Sequence, residues 1–329
     1  MVKIGFDSTD GKILHQLDLN SRMPVSIIAR KLRLSREVVN YRVNKFVENK
    51  VIKKFHTIID ISKLGYAVHK VFIRFQNMTE QKETGLLNFI EKNQNIVYSA
   101  SYDGKFDIVI SFWARNVEEL ADNFREFEGK FGKFIAEKQI ATITKGEYNV
   151  RNYLVDIKSA RRESLFGSVP EKMKLDEINK NILFELGKNA RISSVEISGK
   201  IKMSADAVSK RIKDLEKSGI IQGYNIVPNE ENYPYSHYKI LISMREFAPE
   251  KEKKFINYLK LHKNIWYFCS CLGNWDYEVD LDAENEKEFR EFLRQLKINF
   301  SDIIKDYTVM KVYRTNKYNF CPSIPERKD

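Results

Sequence analysis

The stretch YDGKFDIVISF, at residues 102–112, decides the fold because a similar stretch, CLGNWDYEVDL, returns at residues 271–281. Each contains a glycine and, three residues later, an aspartate that precedes alternating apolar residues. Such alternation predicts a β-strand with one buried face, and the glycine indicates a tight turn before it. We call residues 104–107 and 273–276 the glycine–aspartate turns. They lie 169 residues apart, an interval that indicates two copies of a large unit.

A shift of 169 residues aligns the two halves of the chain without a gap. The halves share roughly thirty identities over about 145 positions, several times the ~6% that chance produces. The identical pairs include Asp7/Asp176, Asn20/Asn189, Arg22/Arg191, Ser35/Ser204, Arg42/Arg211 and Lys70/Lys239. The chain is therefore predicted to be a tandem duplication.

The first part of each half has the pattern of three helices. Asp7 and Asp176 are predicted N-caps of the first helices, and Ser35 and Ser204 are predicted N-caps of the third. A short helix over residues 25–31 lies between them in the first half. Two short helices joined by a turn form a helix-turn-helix, in which the second helix enters the DNA major groove. The inward stripes are Val39, Val43 and Phe46, and Val208, Ile212 and Leu215, with Gly219 as a C-cap.

Double-stranded DNA is the predicted partner of these helices. Arg36 and Asn40 can pair with the edges of guanine and adenine, and other basic residues suit phosphates. The predicted DNA-binding residues are Arg30, Lys31, Arg33, Ser35, Arg36, Asn40, Tyr41, Arg42, Asn44, Lys45, Lys202, Ser204, Ser209, Lys210, Arg211 and Lys213. Three-helix units also serve as protein-docking modules, and a charged helix face is often only solvated.

The placement of charge favours DNA. The net charge is +11, and residues 1–60 carry 12 Lys/Arg against 6 Asp/Glu. Residues 171–228 carry 11 Lys/Arg against 8 Asp/Glu, whereas residues 61–150 carry 12 of each kind and residues 229–329 carry 17 of each kind. The basic excess thus lies in the helical segments and the stretch that joins the halves, which indicates two anion-binding modules on two neutral ones.

The second part of each half alternates like a sheet in the order βαββαβ. The predicted fold class is α+β, with two winged-helix/helix-turn-helix three-helix heads alternating with two βαββαβ ferredoxin-like sandwich domains. The last strands are predicted over residues 135–144 and 303–313. The predicted boundaries are head one, 1–60; sheet domain one, 61–150; a linker with a helical middle, 151–172; head two, 173–230; sheet domain two, 231–320; and a tail, 321–329.

The sequence contains no membrane helix pattern or signal-peptide pattern, so we expect a cytoplasmic protein without a membrane partner. Its three cysteines, Cys269, Cys271 and Cys321, form no CxxC pair. No histidine lies near Cys269 and Cys271, which favours small core residues over a metal site. We therefore predict no metal, no cofactor and no catalytic residues.

Motifs in both halves together resemble the Lrp/AsnC family of transcription regulators. The carrying stretches are residues 7–14, 20–35 and 104–110 (DSTDGKIL, NSRMPVSIIARKLRLS, GKFDIVI) and residues 175–193, 204–225 and 273–279 (LDEINKNILFELGKNARIS, SADAVSKRIKDLEKSGIIQGYN, GNWDYEV). The resemblance implies DNA-binding heads on regulatory sheet domains that bind a small effector such as an amino acid where they meet. It implies effector-binding roles for Gly104, Asp107, Gly273 and Asp276. The alternative is that these residues only shape the hairpins.

Family members ordinarily carry one unit per chain, so two units in one chain predict a covalent pseudo-dimer. We expect further assembly into a dimer of pseudo-dimers, because exposed sheet faces and edges favour association. A different class is a siroheme-decarboxylase-like tetrapyrrole enzyme of the same architecture, which needs basic or histidine residues in the sheet pocket. Of the histidines, only His69 and His237 lie on predicted strands. The cations nearest to the glycine–aspartate turns are Lys70, Lys105 and Lys239. A third hypothesis is an effector-sensing protein with reduced DNA binding.

Overall fold

The structure, a computed structural model, describes residues 6–155, 165–167, 173, 175–246 and 248–321. The first half comprises α1 (Ser8–Leu19), α2 (Val25–Leu32), α3 (Arg36–Glu48), β1 (Ile52–Ile59), β2 (Ala67–Phe75), α4 (Glu80–Lys92), β3 (Ile96–Asp103), β4 (Ile108–Ala114), α5 (Val117–Phe131) and β5 (Ile135–Tyr148). The second half comprises β6 (Leu165–Phe166), α6 (Glu177–Lys188), α7 (Ser194–Ile201), α8 (Ala205–Lys217), β7 (Ile221–Pro228), β8 (Ser236–Met244), α9 (Pro249–Leu261), β9 (Ile265–Gly273), β10 (Tyr277–Ala283), α10 (Glu286–Phe300) and β11 (Ile304–Tyr318).

The predicted helix starts are confirmed in both heads. The side chains of Asp7 and Asp176 accept hydrogen bonds from the third backbone amide of α1 and α6. Ser35 and Ser204 do the same for α3 and α8, so local capping chemistry fixes where each recognition helix begins. Gly219 follows α8 with φ +71°, the left-handed conformation predicted for a C-cap. The matching residue of the first half, Lys50, adopts φ +52° without the glycine.

The heads are not separate from each other, because β1 of the first half pairs antiparallel with β7 of the second. The core of head one includes Ile226 and Tyr233 of the second half. The core of head two includes Ile58 and Ile59 of the first half. Each head therefore packs on the strand that follows the other head, and the domain boundaries given above stay a prediction.

The two sheet domains close into one barrel. The sheet order is β2-β4-β3-β11-β8-β10-β9-β5-β6, and β2 also pairs with β5. The strands β2, β4, β3, β11, β8, β10, β9 and β5 thereby form a ring in which each has two neighbours. The expectation of exposed sheet edges is wrong for this ring, because the last strand of each half covers the open edge of the other half.

Helices cover the outside of the barrel, and aromatic side chains fill much of its inside. Helices α4 and α5 pack on the first sheet, and α9 and α10 pack on the second. Inside, the ring of Phe72 lies 4.7 Å from that of Trp275 and 5.6 Å from that of Phe106, measured between centroids. The outer and inner faces are both buried, which is why β4 and β10 are buried along their whole length.

The strands that end each half run further than the sequence predicts. Strand β5 continues to Tyr148 and β11 continues to Tyr318. The extra residues pair with β9 and β3 of the opposite half, so tertiary pairing extends them. The residues that follow β5 are not a free linker, since Arg151, Asn152 and Tyr153 are buried. The predicted helical middle of the linker and the tail beyond Cys321 lie outside the described residues.

Candidate functional site

The recognition helices α3 and α8 present the side chains predicted to contact DNA. Arg36, Asn40, Tyr41, Asn44 and Lys45 are exposed on α3, while Val39, Val43 and Phe46 are buried as predicted. Ser35, Arg30, Lys31 and Arg33 are also exposed, around the turn between α2 and α3. On the second head, Lys202, Ser204, Lys210 and Lys213 are exposed and Ser209 is half-buried. Helix α8 thus offers fewer groups than α3 that can pair with base edges.

Arg42 and Arg211 differ from the other predicted DNA contacts because they already hold intramolecular partners. The Arg42 guanidinium donates to Asp7 and Asp10, with N–O distances of 2.7 Å to a carboxylate oxygen of each. Arg211 repeats the contact with Asp176 at 2.7 Å and Asn179 at 3.0 Å. The Arg42 contact holds the pKa of the Asp7 carboxyl below its usual value. These arginines brace the recognition helix against the first helix, and their predicted phosphate contacts stay a prediction.

Two reciprocal arginines join the heads. Arg22 donates to the carbonyl oxygens of Ala190 and Ile192, the latter at 2.9 Å. Arg191 donates to the carbonyl oxygens of Ser21 at 2.7 Å and Met23 at 3.4 Å. Each bond of one arginine has its counterpart 169 residues away, so the heads are related by an approximate two-fold axis. The identity of Arg22 and Arg191 was visible in the aligned halves, although their partners were not.

The glycine–aspartate turns lie at the two places where the halves meet. A side chain at Gly273 would place its Cβ 2.5 Å from the carbonyl oxygen of Ile140 in β5. At Gly104, which has φ +141°, the Cβ would lie 3.1–3.3 Å from atoms of Val309 and Met310 in β11. Close approach of the last strand of the first half therefore requires a glycine at 273, whereas at 104 the positive φ favours glycine and the opposite strand lies in tight contact. This contact explains why one chain carries the turn twice.

The aspartates of these turns bind backbone amides. An Asp107 carboxylate oxygen accepts from the Phe75 amide at 2.6 Å, and an Asp276 oxygen accepts from the Met244 amide at 2.6 Å. Asp107 stays exposed and Asp276 is half-buried. These bonds match the hairpin-shaping alternative, and effector binding by Gly104, Asp107, Gly273 and Asp276 stays a prediction.

A buried network of charges crosses the barrel interior between β2, β8 and β10. Lys70 donates to Glu278 at 2.6 Å, and Lys239 donates to Glu278 at 3.2 Å and to Asp280 at 2.5 Å. His237 contacts Asp280 at 2.7 Å. Burial alone lowers the pKa of Lys239, but the carboxylates of Asp280 and Glu278 outweigh it and raise that pKa. The two lysines and the two carboxylates thus form one buried ion-pair network.

The cavity beside this network is small. Its volume is about 30 Å³, and its lining includes Lys70, Tyr98, Lys239, Tyr267, Asp280 and Tyr318. Sites for organic ligands typically measure about 300–1,000 Å³. The cavity beside the network is therefore much smaller than a typical site for an organic ligand.

A second buried network ties the linker to head one and to the barrel. The Arg151 guanidinium contacts Asp18 of α1 at 2.7 Å and Asp282 of β10 at 3.4 Å. It also lies 4.4 Å from the centre of the Trp266 ring. Sequence reasoning missed Arg151, because it follows the last repeated strand and has no marked pattern around it.

The asymmetry of the two halves concentrates polar groups in the second. Val68, Val97, Ala100, Tyr102, Val109 and Ser111 correspond to His237, Trp266, Cys269, Cys271, Glu278 and Asp280. The replacement of Val109 by Glu278 was the visible signal for the network, but the sequence did not show that Lys70 of the other half is its partner.

Comparison with known proteins supports the duplication. A family model described as winged helix-turn-helix DNA-binding matches residues 6–53 and again residues 175–222. The chain is 28% identical over 140 residues to the leucine-responsive regulatory protein of Klebsiella pneumoniae, which covers 42% of this chain and 85% of that protein. It is 29% identical over 123 residues to the HTH-type transcriptional regulator LrpC of Bacillus subtilis, covering 37% of this chain and 84% of that protein.

Solved structures of one enzyme match along nearly the whole chain. The siroheme decarboxylase NirDL superposes with a TM-score of 0.59 and 13% identity, covering 97% of this chain and 95% of that chain. At this identity the likeness shows the shared fold alone. No helix in the described part of the chain is long and apolar enough to cross a membrane. The winged helix-turn-helix match thus occurs twice along the chain, and the chain is similar to Lrp-type transcription regulators at 28–29% identity.

Proposed function

We propose that this chain is a sequence-specific DNA-binding transcription regulator in which one chain supplies both heads of an Lrp/AsnC-like dimer. The observation that carries the proposal is the pair of exposed recognition helices, held in one two-fold unit by Arg22 and Arg191. Both helices start at a serine cap and lie in the basic segments of the chain. A fixed pair of heads suits two half-sites about one DNA turn, ~34 Å, apart.

The two heads differ, so we propose an asymmetric target. Arg36 and Asn40 on α3 offer bidentate groups for guanine and adenine, whereas α8 offers Lys210 and Lys213. Head one then supplies most of the sequence preference, and head two supplies phosphate contacts. A regulator of this kind acts where the chromosome lies, so we propose a cytoplasmic location.

An amino acid effector and assembly into a dimer of pseudo-dimers are finer parts of the proposal. The exposed Asp107 carboxylate could accept from an ammonium group with the oxygen that the Phe75 amide leaves free. Titration of the chain with each amino acid during DNA binding tests this, with Asp107→Asn as the matched variant. Sedimentation of the chain with and without DNA tests the assembly.

The tetrapyrrole-enzyme alternative gains no support from the interior. Its lysines are ion-paired, and the cavity of about 30 Å³ beside them is much smaller than a typical site for an organic ligand. Mixing the chain with a tetrapyrrole and recording the visible spectrum tests this directly. A saturable shift of the absorption band would favour the enzyme.

The deciding experiment is DNA binding by the purified chain to fragments upstream of its own coding sequence and to random DNA, across several salt concentrations. We expect a preferred sequence and an affinity that falls steeply with salt. Arg36→Ala should weaken binding to the preferred sequence by about 5–150-fold, the equivalent of about 1–3 kcal/mol, and relax the preference. Lys210→Ala should weaken binding to all sequences alike.

Arg125→Ala is the matched control, because Arg125 lies on α5 of the barrel with its side chain 73% exposed. It removes one positive charge away from the heads. Equal weak binding to all fragments, or an equal loss in Arg36→Ala and Arg125→Ala, would reject a specific regulator.

A further inference from the structure

Two cysteines and a carboxylate meet inside the barrel. Cys269 and Cys271 are two residues apart on β9, so their side chains lie on the same face, and their sulfur atoms are 3.6 Å apart. The Cys271 sulfur lies 3.6 Å from an oxygen of Glu278 on β10. All three ligand atoms lie within 4.8 Å of one another. Cys269 and Glu278 are fully buried, whereas Cys271 is partly exposed and gives access from the surface.

These separations match those around a tetrahedral zinc ion. With Zn–S bonds of about 2.3 Å and Zn–O bonds of about 2.1 Å, two thiolates lie ~3.8 Å apart and a thiolate lies ~3.6 Å from a carboxylate oxygen. The Cys269–Cys271 and Cys271–Glu278 distances are both 3.6 Å. Three protein ligands leave a fourth position for water, as in zinc sites that are not purely structural.

The charges around the cluster are compatible with a divalent ion. Glu278 and Asp280 are balanced by Lys70 and Lys239 before any ion enters. Binding of M²⁺ forms two metal–sulfur bonds and releases the two thiol protons, so the net charge of the site does not change. Lys70 lies 4.0 Å from the Cys269 sulfur and is positioned to donate to a metal-bound thiolate.

The other half of the chain shows that packing does not demand these residues. At the corresponding positions it carries Ala100, Tyr102 and Val109, all buried in the same barrel. Apolar and aromatic side chains therefore satisfy the interior of this fold. The three ligating groups occur together in one half alone, which is the pattern of an acquired site.

We infer that Cys269, Cys271 and Glu278 bind one thiophilic divalent ion, Zn²⁺ being the test ion, and that this ion acts as an effector of the regulator. The effector role rests on the proposed function, whereas the site does not. The site can influence both halves because β9 pairs with β5, with Cys271 opposite Ile143. An ion that fixes β9 against β10 thereby fixes one of the two junctions between the halves.

The site is tested on the full chain, reduced and stripped of metal. Cd²⁺ titration should produce a cadmium–thiolate absorption band that saturates at one ion per chain, and Zn²⁺ should compete for it. Cys271→Ser and Cys269→Ala should each abolish the band; the latter installs the residue that the first half carries at position 100. Cys321→Ser is the control, because Cys321 is buried elsewhere and should leave the band intact.

Failure of the site has distinct signatures. No saturable band, or an equal loss in Cys321→Ser, overturns it. A chain that takes up no cadmium and whose mass is lower than that of the fully reduced chain by two hydrogen atoms contains a Cys269–Cys271 disulfide. This result would also overturn the proposed metal site. Because Cys271 is partly exposed, Cys271→Ser is the variant least affected by folding defects, and a folded Cys271→Ser chain that still binds stoichiometric cadmium rejects the ligand assignment.

The effector role is tested by DNA affinity with and without Zn²⁺. We expect a change of at least about fivefold for the wild type and none for Cys271→Ser. Stoichiometric metal binding with unchanged DNA affinity overturns the effector role and leaves the site standing. Absence of DNA binding in both conditions rejects the proposed function, while the cadmium titration still decides the site.

Discussion

Replacement of Gly273 by alanine tests whether the glycine–aspartate turns join the two halves. The added Cβ would lie 2.5 Å from the Ile140 carbonyl oxygen and 3.0 Å from the Ala141 Cα. Both are backbone atoms of β5 and cannot rotate away, so β9 and β5 must separate where Gly273 faces Ala141. Overpacking costs about 1–3 kcal/mol, and one weakened backbone hydrogen bond adds about 1 kcal/mol. We therefore expect a loss of about 2–4 kcal/mol in the free energy of unfolding.

Urea unfolding followed by circular dichroism and tryptophan fluorescence measures this loss, since Trp275 lies within the turn. Gly129→Ala is the matched control: Gly129 lies in α5, where an added Cβ meets nothing within 4 Å. It should stabilise the chain by about 0.5–1 kcal/mol, because alanine favours a helix over glycine. If Gly273→Ala proves as stable as the wild type, the close approach of β5 is not what requires the glycine. Ligand access would then become the better explanation.

Three further changes address the heads, the linker and pH. Arg22→Ala removes hydrogen bonds between the heads and should lower the free energy of unfolding in urea by about 1–3 kcal/mol. Arg125→Ala should leave it almost unchanged, because that arginine is exposed, and equal losses in the two variants would reject a role of Arg22 in joining the heads. Arg151→Met leaves the buried Asp18 and Asp282 without their ion-pair partner and should cost about 3–5 kcal/mol. Recovery of part of that loss in the double variant with Asp18→Asn would confirm the charge argument, and no recovery would contradict it. Burial lowers the pKa of His262 to about 4, so the folded chain excludes a proton that the unfolded chain binds below about pH 6.5. The free energy of unfolding should thus fall as the pH drops from 6.5 toward 4, by about 2 kcal/mol at pH 5. The urea midpoint should fall less between pH 7.5 and pH 5 in His262→Gln than in the wild type. An identical fall in both would refute His262 as the source of the pH dependence.

Features set by neighbouring residues could be predicted from the sequence. The caps at Asp7, Ser35, Asp176 and Ser204 act on amides three residues away, and all four are confirmed. The order of helices and strands follows from periodicity, which needs only a window of about a dozen residues. The duplication supplied a second, independent copy of each pattern.

Features set by distant contacts could not be predicted. Arg22 bonds to residues 168 and 170 positions away, and nothing near it in the sequence marks that partner. The sheet edges were expected to be exposed, because the sequence of one half does not show that the last strand of the other half covers them. Cys269 and Cys271 were visible as a same-face pair, but Glu278 joins them only through the pairing of β9 with β10.

Because two halves of a single chain close the barrel, their pairing does not depend on the concentration of the protein. In a dimer of separate chains, the paired state that holds two heads on DNA disappears as the protein becomes scarce. Here the halves face each other at an effective concentration of roughly millimolar or above, set by the connecting segment and independent of how many molecules the cell contains. A few copies per cell would therefore bind DNA with both heads, and the amount of regulator could be adjusted without changing how each molecule binds.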